Sequence, residues 1–344
     1  MPDIASLVEA LGGMAQKQQL VARGARDLDL TRAVRNGTVV RARQGWYTTL
    51  PENDLRVWAV RVGGRLTGIA AVIAAGGWVQ SRHPLHVSVH ENAARLRRPD
   101  NRYVRLASGR VPGLVLHWDE AAVARRGTAT SVDLRDALVQ VVLGESFETA
   151  VAALDWALNT GAIDRVDLAE IMRLLPRNRR AIAGWVDERC ESLPESLART
   201  RLRLRGHSVE IQVLLGDFQR IDLVVDDCVG LETDGREFHL DRFEQDREKD
   251  LDITMADLHP LRPSANMVFR RWDRIVTAID AAIAARSPRR SGGNSGLAVA
   301  AARTAPVFPR RSAWRAASSP DFPKRGTRGP GRAATAAAKP RPRE

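Results

Sequence analysis

Cysteine is nearly absent. Only Cys190 and Cys228 occur in 344 residues, and neither belongs to a CxxC pair. That excludes a disulfide framework and a cysteine zinc site, and it suits a reducing, cytoplasmic setting. Long apolar runs are missing too: the longest, Leu66 to Val79, has 14 residues and is interrupted by glycines. A bilayer crossing needs about 20, so this run reads as buried core and no membrane is expected as a partner. The N-terminus MPDIASLVEALGG carries an acid at Asp3 and no basic segment ahead of an apolar one, so no signal peptide is expected. A general basic character is also lacking, despite the net charge of +12. Residues 287–344 hold 13 Lys/Arg against two acids, and the remainder holds 40 against 39.

The basic tail is built from Ala, Arg, Pro, Gly and Ser. It offers too little apolar surface to offset the entropy of ordering, so a disordered basic tail is expected over 287–344. Two readings stand for it: a non-specific phosphate-binding arm, or a merely solvated chain end.

Residues 1–50 predict three short helices, Ile4–Leu11, Gln16–Ala22 and Asp29–Val34, then strands Thr38–Ala42 and Trp46–Thr49 around Arg43-Gln44-Gly45. This is the order of a winged helix-turn-helix. The segment has seven bases against four acids. Arg32 and Arg35 on the third helix, with Arg41 and Arg43 on the wing, are the candidate DNA contacts; the plainer alternative is a solvated basic face. The string AQKQQLVARGARDLDLTRAVRNGTVVRARQGWY resembles the N-terminal winged-helix domain of AbiEi-type antitoxins, and GGRLTGIAAVIAAGGWV with HVSVHENAARLR resembles the segment that follows it. The resemblance spans roughly the first 120 residues and implies DNA binding or transcriptional regulation.

Residues 51–186 predict an α+β scaffold: strands Leu85–Val89 and Leu114–Trp118, a helix from a Ser131 cap through Val142, and helices over Glu145–Asn159 and Val166–Leu175. His86 and His90 share a strand face but stand roughly 13 Å apart at strand rise. With His83, they read as surface or satisfied histidines rather than ligands.

From Ser192 the pattern changes to helix, three antiparallel strands, helix, strand, helix, a compact α/β unit over 187–286. A two-residue turn at Asp226-Asp227 would mix the faces of the central hairpin. A turn that includes Cys228 pairs Leu223 with Leu231, and burial selects that register because a one-residue slip flips every side chain. It sets Asp222 opposite Glu232, with Asp234 two residues on, all facing away from the apolar core. Opposed Cβ atoms lie about 5 Å apart, so two carboxylates there repel unless a cation intervenes. Oxygen ligands of this kind suit Mg²⁺ or Mn²⁺. Asp226 and Asp227 read as turn residues, and Arg247 with Asp250 as a helix-surface pair.

Asp222, then Glu232-x-Asp234 with Gly235-x-x-x-His239, looks like the PD-(D/E)xK nuclease superfamily. It most resembles the endonuclease-like family of unknown function related to the very-short-patch-repair endonuclease. Glu195 and the Thr233, Gly235, His239 spacing complete the resemblance, which spans about 190–286. What it implies is a restriction-endonuclease-like domain in which Asp222, Glu232 and Asp234 serve the metal, with His239 as general acid/base. The superfamily's lysine position is held here by Asp234, so charge stabilisation falls to His239, Arg236 or the metal. Glu195 carries two readings, a site residue or the N3 acid of a Ser192 capping box. Residues 190–286 hold 19 acids and 14 bases, which opposes DNA approach and leaves docking to the winged helix or tail.

The expected whole is an α/β multidomain hydrolase: a Mg²⁺-dependent DNA endonuclease held on duplex DNA by its winged helix. The alternative is a non-enzymatic DNA-binding regulator of the antitoxin class, with a degenerate nuclease fold and a toxin or other regulatory protein as partner. Deleting 287–344 should lower non-specific DNA affinity and flatten its salt dependence while leaving the melting temperature nearly unchanged. A large fall in melting temperature would contradict a disordered tail.

Overall fold

The computed structural model describes residues 3–286 except 81–82, 108–110, 120–122, 124–125, 217–218 and 234–242. Helix α1 (Ile4–Glu9) starts at an Asp3 cap whose carboxylate accepts from Ala5 N. Strand β1 (Met14–Gln16), helices α2 (Lys17–Val21) and α3 (Asp27–Arg35), and strands β2 (Val40–Arg43) and β3 (Trp46–Thr48) follow. The sheet runs β1-β3-β2, antiparallel throughout. Ile4, Val8, Leu20, Leu30, Val39 and Tyr47 form its core. The three helices and the hairpin stand where the sequence places them, with α3 beginning two residues earlier. Strand β1 is the addition. Three residues are too few to show a period of two. Gly13 turns the chain into β1 at φ +80°, and a Cβ there would meet the Leu50 side chain at 2.6 Å.

The middle of the chain contributes α4 (Leu55–Val62), β4 (Arg65–Leu66), α5 (Gly68–Ala74), β5 (Leu85–His90), β6 (Leu114–Asp119), α6 (Leu134–Gly144), α7 (Phe147–Asn159) and α8 (Arg165–Leu174), then a 3-10 helix over Arg177–Trp185. The apolar run at Leu66–Val79 becomes the buried α5, with Ile69 and Val72 fully enclosed. Strand β5 lies between antiparallel β4 and parallel β6. No helix among the described residues is long and apolar enough to cross a membrane. Helix α7 is buried from Ala150 to Leu158, Asp155 included. Asp155 accepts from Ser196 Oγ (2.6 Å), Arg199 Nη2 (2.8 Å) and Asp187 N (2.7 Å). A charge buried this deeply needs such partners.

The last unit comprises α9 (Leu193–Arg205), β7 (Val209–Leu215), β8 (Gln219–Val225), β9 (Val229–Leu231), α10 (Phe243–Met255), β10 (His259–Leu261), α11 (Ala265–Arg270) and α12 (Trp272–Arg286). The sheet order is β10-β9-β8-β7, with β10 parallel to β9 and the other pairs antiparallel. This is the expected element order, with α11 added. Leu223 pairs with Leu231 and Val225 with Val229, so the turn holds Asp226, Asp227 and Cys228. Asp226 and Asp227 sit at φ +49° and +52°, a region Asp tolerates. Asp226 does more than turn the chain: its carboxylate accepts from Ser208 N (2.8 Å) and lies 2.7 Å from His207 Nδ1.

Helix α10 crosses β9 at Gly230. A Cβ at that position would stand 2.7 Å from Ile253 Cγ2, and Ile253 is fully buried. Gly230→Ala should therefore cost about 1–3 kcal/mol through overpacking. Gly144→Ala, whose new Cβ would meet nothing within 4 Å, should be near neutral. Urea melts of the two variants check this; equal stabilities would show that the α10–β9 approach is slack.

Candidate active site

The paired register of β8 and β9 brings Asp222 beside Glu232, as the hydrophobic pattern requires. Asp222 N donates to Glu232 Oε1 at 3.2 Å. Thr233 donates to Asp222 Oδ2 through its backbone N (2.8 Å) and its hydroxyl (3.2 Å). Glu232 N donates to Leu261 O of β10 at 2.9 Å, so the neighbouring parallel strand helps fix the residue that carries the second carboxylate. The expectation that these groups face openly away from the core needs correction. Glu232 is only 5% exposed, Asp222 is half-buried, and α10 supplies groups that reach Glu232.

One of those groups is a lysine from the helix. Lys249 Nζ lies 2.6 Å from Glu232 Oε2. Arg262, just after β10, lies 3.6 Å from the same oxygen and also pairs with Asp250 (2.9 Å) and Asp246 (3.3 Å). Asp250 therefore serves a network around the site as well as standing 3.7 Å from Arg247. The helix sequence FEQDREKDLDITM looks like a solvated charged face, and only the packing at Gly230 shows where Lys249 is aimed.

Glu195 meets the capping reading in part: Ser192 caps the helix, but the Glu195 carboxylate takes the Ser192 hydroxyl and the Glu191 N–H, not the Ser192 N–H. Its Oε1 accepts from Ser192 Oγ (2.8 Å) and its Oε2 from Glu191 N (2.9 Å), while Ser192 Oγ accepts from Glu195 N at 3.4 Å. The charge of Asp222 also acts on it. Gln212 Nε2 donates to Glu195 Oε2 at 3.2 Å. Its backbone is in the left-handed region, φ +53°, at the position opposite Asp222, where the β7–β8 ladder skips one pair. Such strain in a non-glycine strand residue is found where a site demands a side-chain direction.

The electrostatics match the crowding. Burial raises Asp222 above the usual carboxylate range, against the pull of Thr233, Lys249 and Arg262. Burial and then the charge of Asp222 raise Glu232, opposed by Lys249. Burial, followed by Asp222, pushes Glu195 up to about 7. Burial thus disfavours the ionised form of all three carboxyls, Asp222, Glu232 and Glu195. Among the described residues no three His, Cys, Asp or Glu side chains are already gathered around a single ion position. Asp234, Arg236 and His239 lie outside the described residues.

The DNA-contact candidates divide. Arg32, Arg35 and Arg41 are exposed. Arg43 is not presented outward: its guanidinium donates to Arg61 O (2.9 Å), Val62 O (2.8 Å) and Arg95 O (3.2 Å). It straps the wing to the end of α4, a role its position in a basic hairpin tip conceals. Among the histidines, His86 is buried 3.2 Å from His117, and the Nδ1 of exposed His90 accepts from Asn92 N, which agrees with satisfied and surface histidines.

The Glu195 carboxyl holds its proton more tightly folded than unfolded, so folding takes up a proton between pH 4.5 and about 7. Stability should therefore fall as pH rises through that window, by at most ~1.4 kcal/mol per pH unit. Glu195→Gln removes the titration and keeps the shape, with the amide nitrogen turned to the Ser192 hydroxyl. Parent and variant stabilities, measured in urea without divalent ions, should diverge in the variant's favour from pH 5 to 7. Parallel pH profiles would show that Glu195 is not strained.

No family model matches this chain, and no curated protein matches it either, so the constellation is read from its own geometry.

Proposed function

We propose that the protein is a metal-dependent DNA endonuclease of the PD-(D/E)xK type. The observation that carries the reading is Lys249 at 2.6 Å from Glu232, with Asp222 bonded to the same carboxylate through its backbone N–H. Two acids on adjacent strands plus an ammonium are the parts that phosphodiester hydrolysis calls for, and here the ammonium comes from a helix instead of the strand.

Asp222 and Glu232 would hold Mg²⁺ or Mn²⁺, which when bound supplies Lewis-acid charge and lowers the pKa of water. Lys249 is placed to stabilise negative charge developing on a phosphoryl oxygen. Arg262 restrains Asp246 and Asp250, so that Lys249 keeps its approach to Glu232. Glu195, with a pKa pushed up to about 7, can accept or return a proton near neutral pH. Asp234, assisting through a water or second ion, and His239, as a further acid/base, keep the roles the resemblance gives them. Arg32, Arg35 and Arg41 would hold duplex DNA.

The Lys249–Glu232 pair also supports the second reading, a regulator of the antitoxin class. A carboxylate already neutralised by lysine is compatible with a binding module that cuts nothing.

A plasmid-nicking assay separates the two. Nicking should require Mg²⁺ or Mn²⁺ and stop with EDTA. Glu232→Gln and Asp222→Asn should abolish it, and Lys249→Met should slow it by about 10²–10³-fold with DNA affinity little changed. Nicking that survives both acid substitutions would overturn the assignment. DNA binding without nicking in any divalent ion would favour the regulator.

A further inference from the structure

The segment around Arg97 and Arg105 is a small β-hairpin that the winged-helix reading did not include. Arg97 and Arg105 form an antiparallel bridge, Leu106 N donates to Leu96 O and Arg98 N to Val104 O, each at 3.0 Å. From Ala94 to Ala107 it carries five arginines (95, 97, 98, 102 and 105) against one acid, Asp100. Leu96 and Leu106 anchor its base in the core of the middle region. Its polar edge is tied to the end of α4: Arg97 N donates to Val62 O at 3.2 Å, and Arg61 Nη1 to Pro99 O at 3.5 Å. Arg43, the strap from wing strand β2, also reaches Arg95 O. Wing and hairpin thus share Val62 O as an acceptor and are joined directly by Arg43 to Arg95 O.

Two features of this hairpin lack any benefit within the fold. Arg97 lies close enough to Arg43 for like-charge repulsion, and its buried Nη1 has no hydrogen-bond partner among the described residues. At the tip, Tyr103 is 76% exposed, with the Arg102 guanidinium 4.8 Å from its ring centroid. It is one of only two tyrosines in the chain. The arginines and exposed ring at the tip suit contacts to phosphates and to a groove edge.

We propose that this arginine hairpin is a second duplex-DNA contact, continuing the wing, with Arg102, Arg105 and Arg98, the last exchanging its Asp100 partner at 2.9 Å, on phosphates and Tyr103 along the groove edge. The inference rests on the reading of DNA as the substrate and adds a surface to it. It also answers the charge problem of the acidic C-terminal unit, which needs docking groups elsewhere in the chain.

The test is anisotropy of a labelled duplex with the full-length protein across a salt series without divalent ions. Three proteins are compared: the parent, Arg98→Ala/Arg102→Ala/Arg105→Ala, and Arg32→Ala/Arg35→Ala/Arg41→Ala. Each lost phosphate contact lowers the slope of log K against log salt by about 0.9, so the hairpin variant should lose about 2 to 3 in slope and bind at least about tenfold more weakly. Tyr103→Ala should weaken binding with the slope unchanged, because the ring carries no charge. Exposed substitutions should leave the melting curve in place. A hairpin variant that binds like the parent, while the wing variant is weakened, overturns this inference and spares the DNA reading. A parent that does not bind duplex DNA overturns it outright. Preferential loss of single-stranded RNA binding would assign the hairpin a different partner and overturn it too. The nuclease reading fails separately, in the nicking assay.

Discussion

A three-residue turn fixes the candidate site. Asp226, Asp227 and Cys228 bring β9 back along β8 so that Leu223 meets Leu231. Since side chains alternate with a period of two, that pairing leaves the next position on each strand to the two carboxylates. One residue fewer would set Asp222 opposite Leu231 and mix the two faces. The apolar residues of the hairpin therefore specify the acid pair, and the acids cannot be moved without opening the core.

The rest of the site consists of responses to that pair. Burial makes Asp222 and Glu232 reluctant to ionise, and Glu195 from α9 likewise. Lys249 and Arg262 answer from the other side, reaching Glu232 from α10 and from the loop after β10. The helix that carries Lys249 packs over Gly230, where a Cβ would meet Ile253. Polar groups held in a low-dielectric setting interact strongly, so each of these contacts weighs more than it would at the surface.

Much of this was legible in the sequence because burial leaves a periodic trace. The strand register, the order of elements from Leu193 to Arg286, and the helices and hairpin of the first fifty residues all follow from apolar spacing. The exceptions share one cause: their roles are set by long-range contacts that leave no local pattern. Lys249 sits among the other charged and polar residues of a surface helix, and nothing nearby distinguishes it. Gln212 matters through a positive φ that glutamine does not advertise. Arg43 reads as one more basic wing residue until its three carbonyl partners are seen. Strand β1 is too short to carry a signal of its own. Asp234 and His239, prominent in the motif, lie outside the described residues, so their part rests on the sequence.

The buried Asp155 has a consequence for how such a protein can be assembled and reused. It sits in a helix of the middle region, yet its three donors come from the start of the C-terminal unit: the backbone at Asp187 and the side chains of Ser196 and Arg199. Arg201 adds a link to Glu148 at 2.9 Å. A break in the chain near residue 187 would leave a carboxylate in one fragment and a guanidinium in the other, each stripped of its counter-charge. The acidic unit expressed from residue 188 onward would carry an unpaired Arg199 and lose stability accordingly.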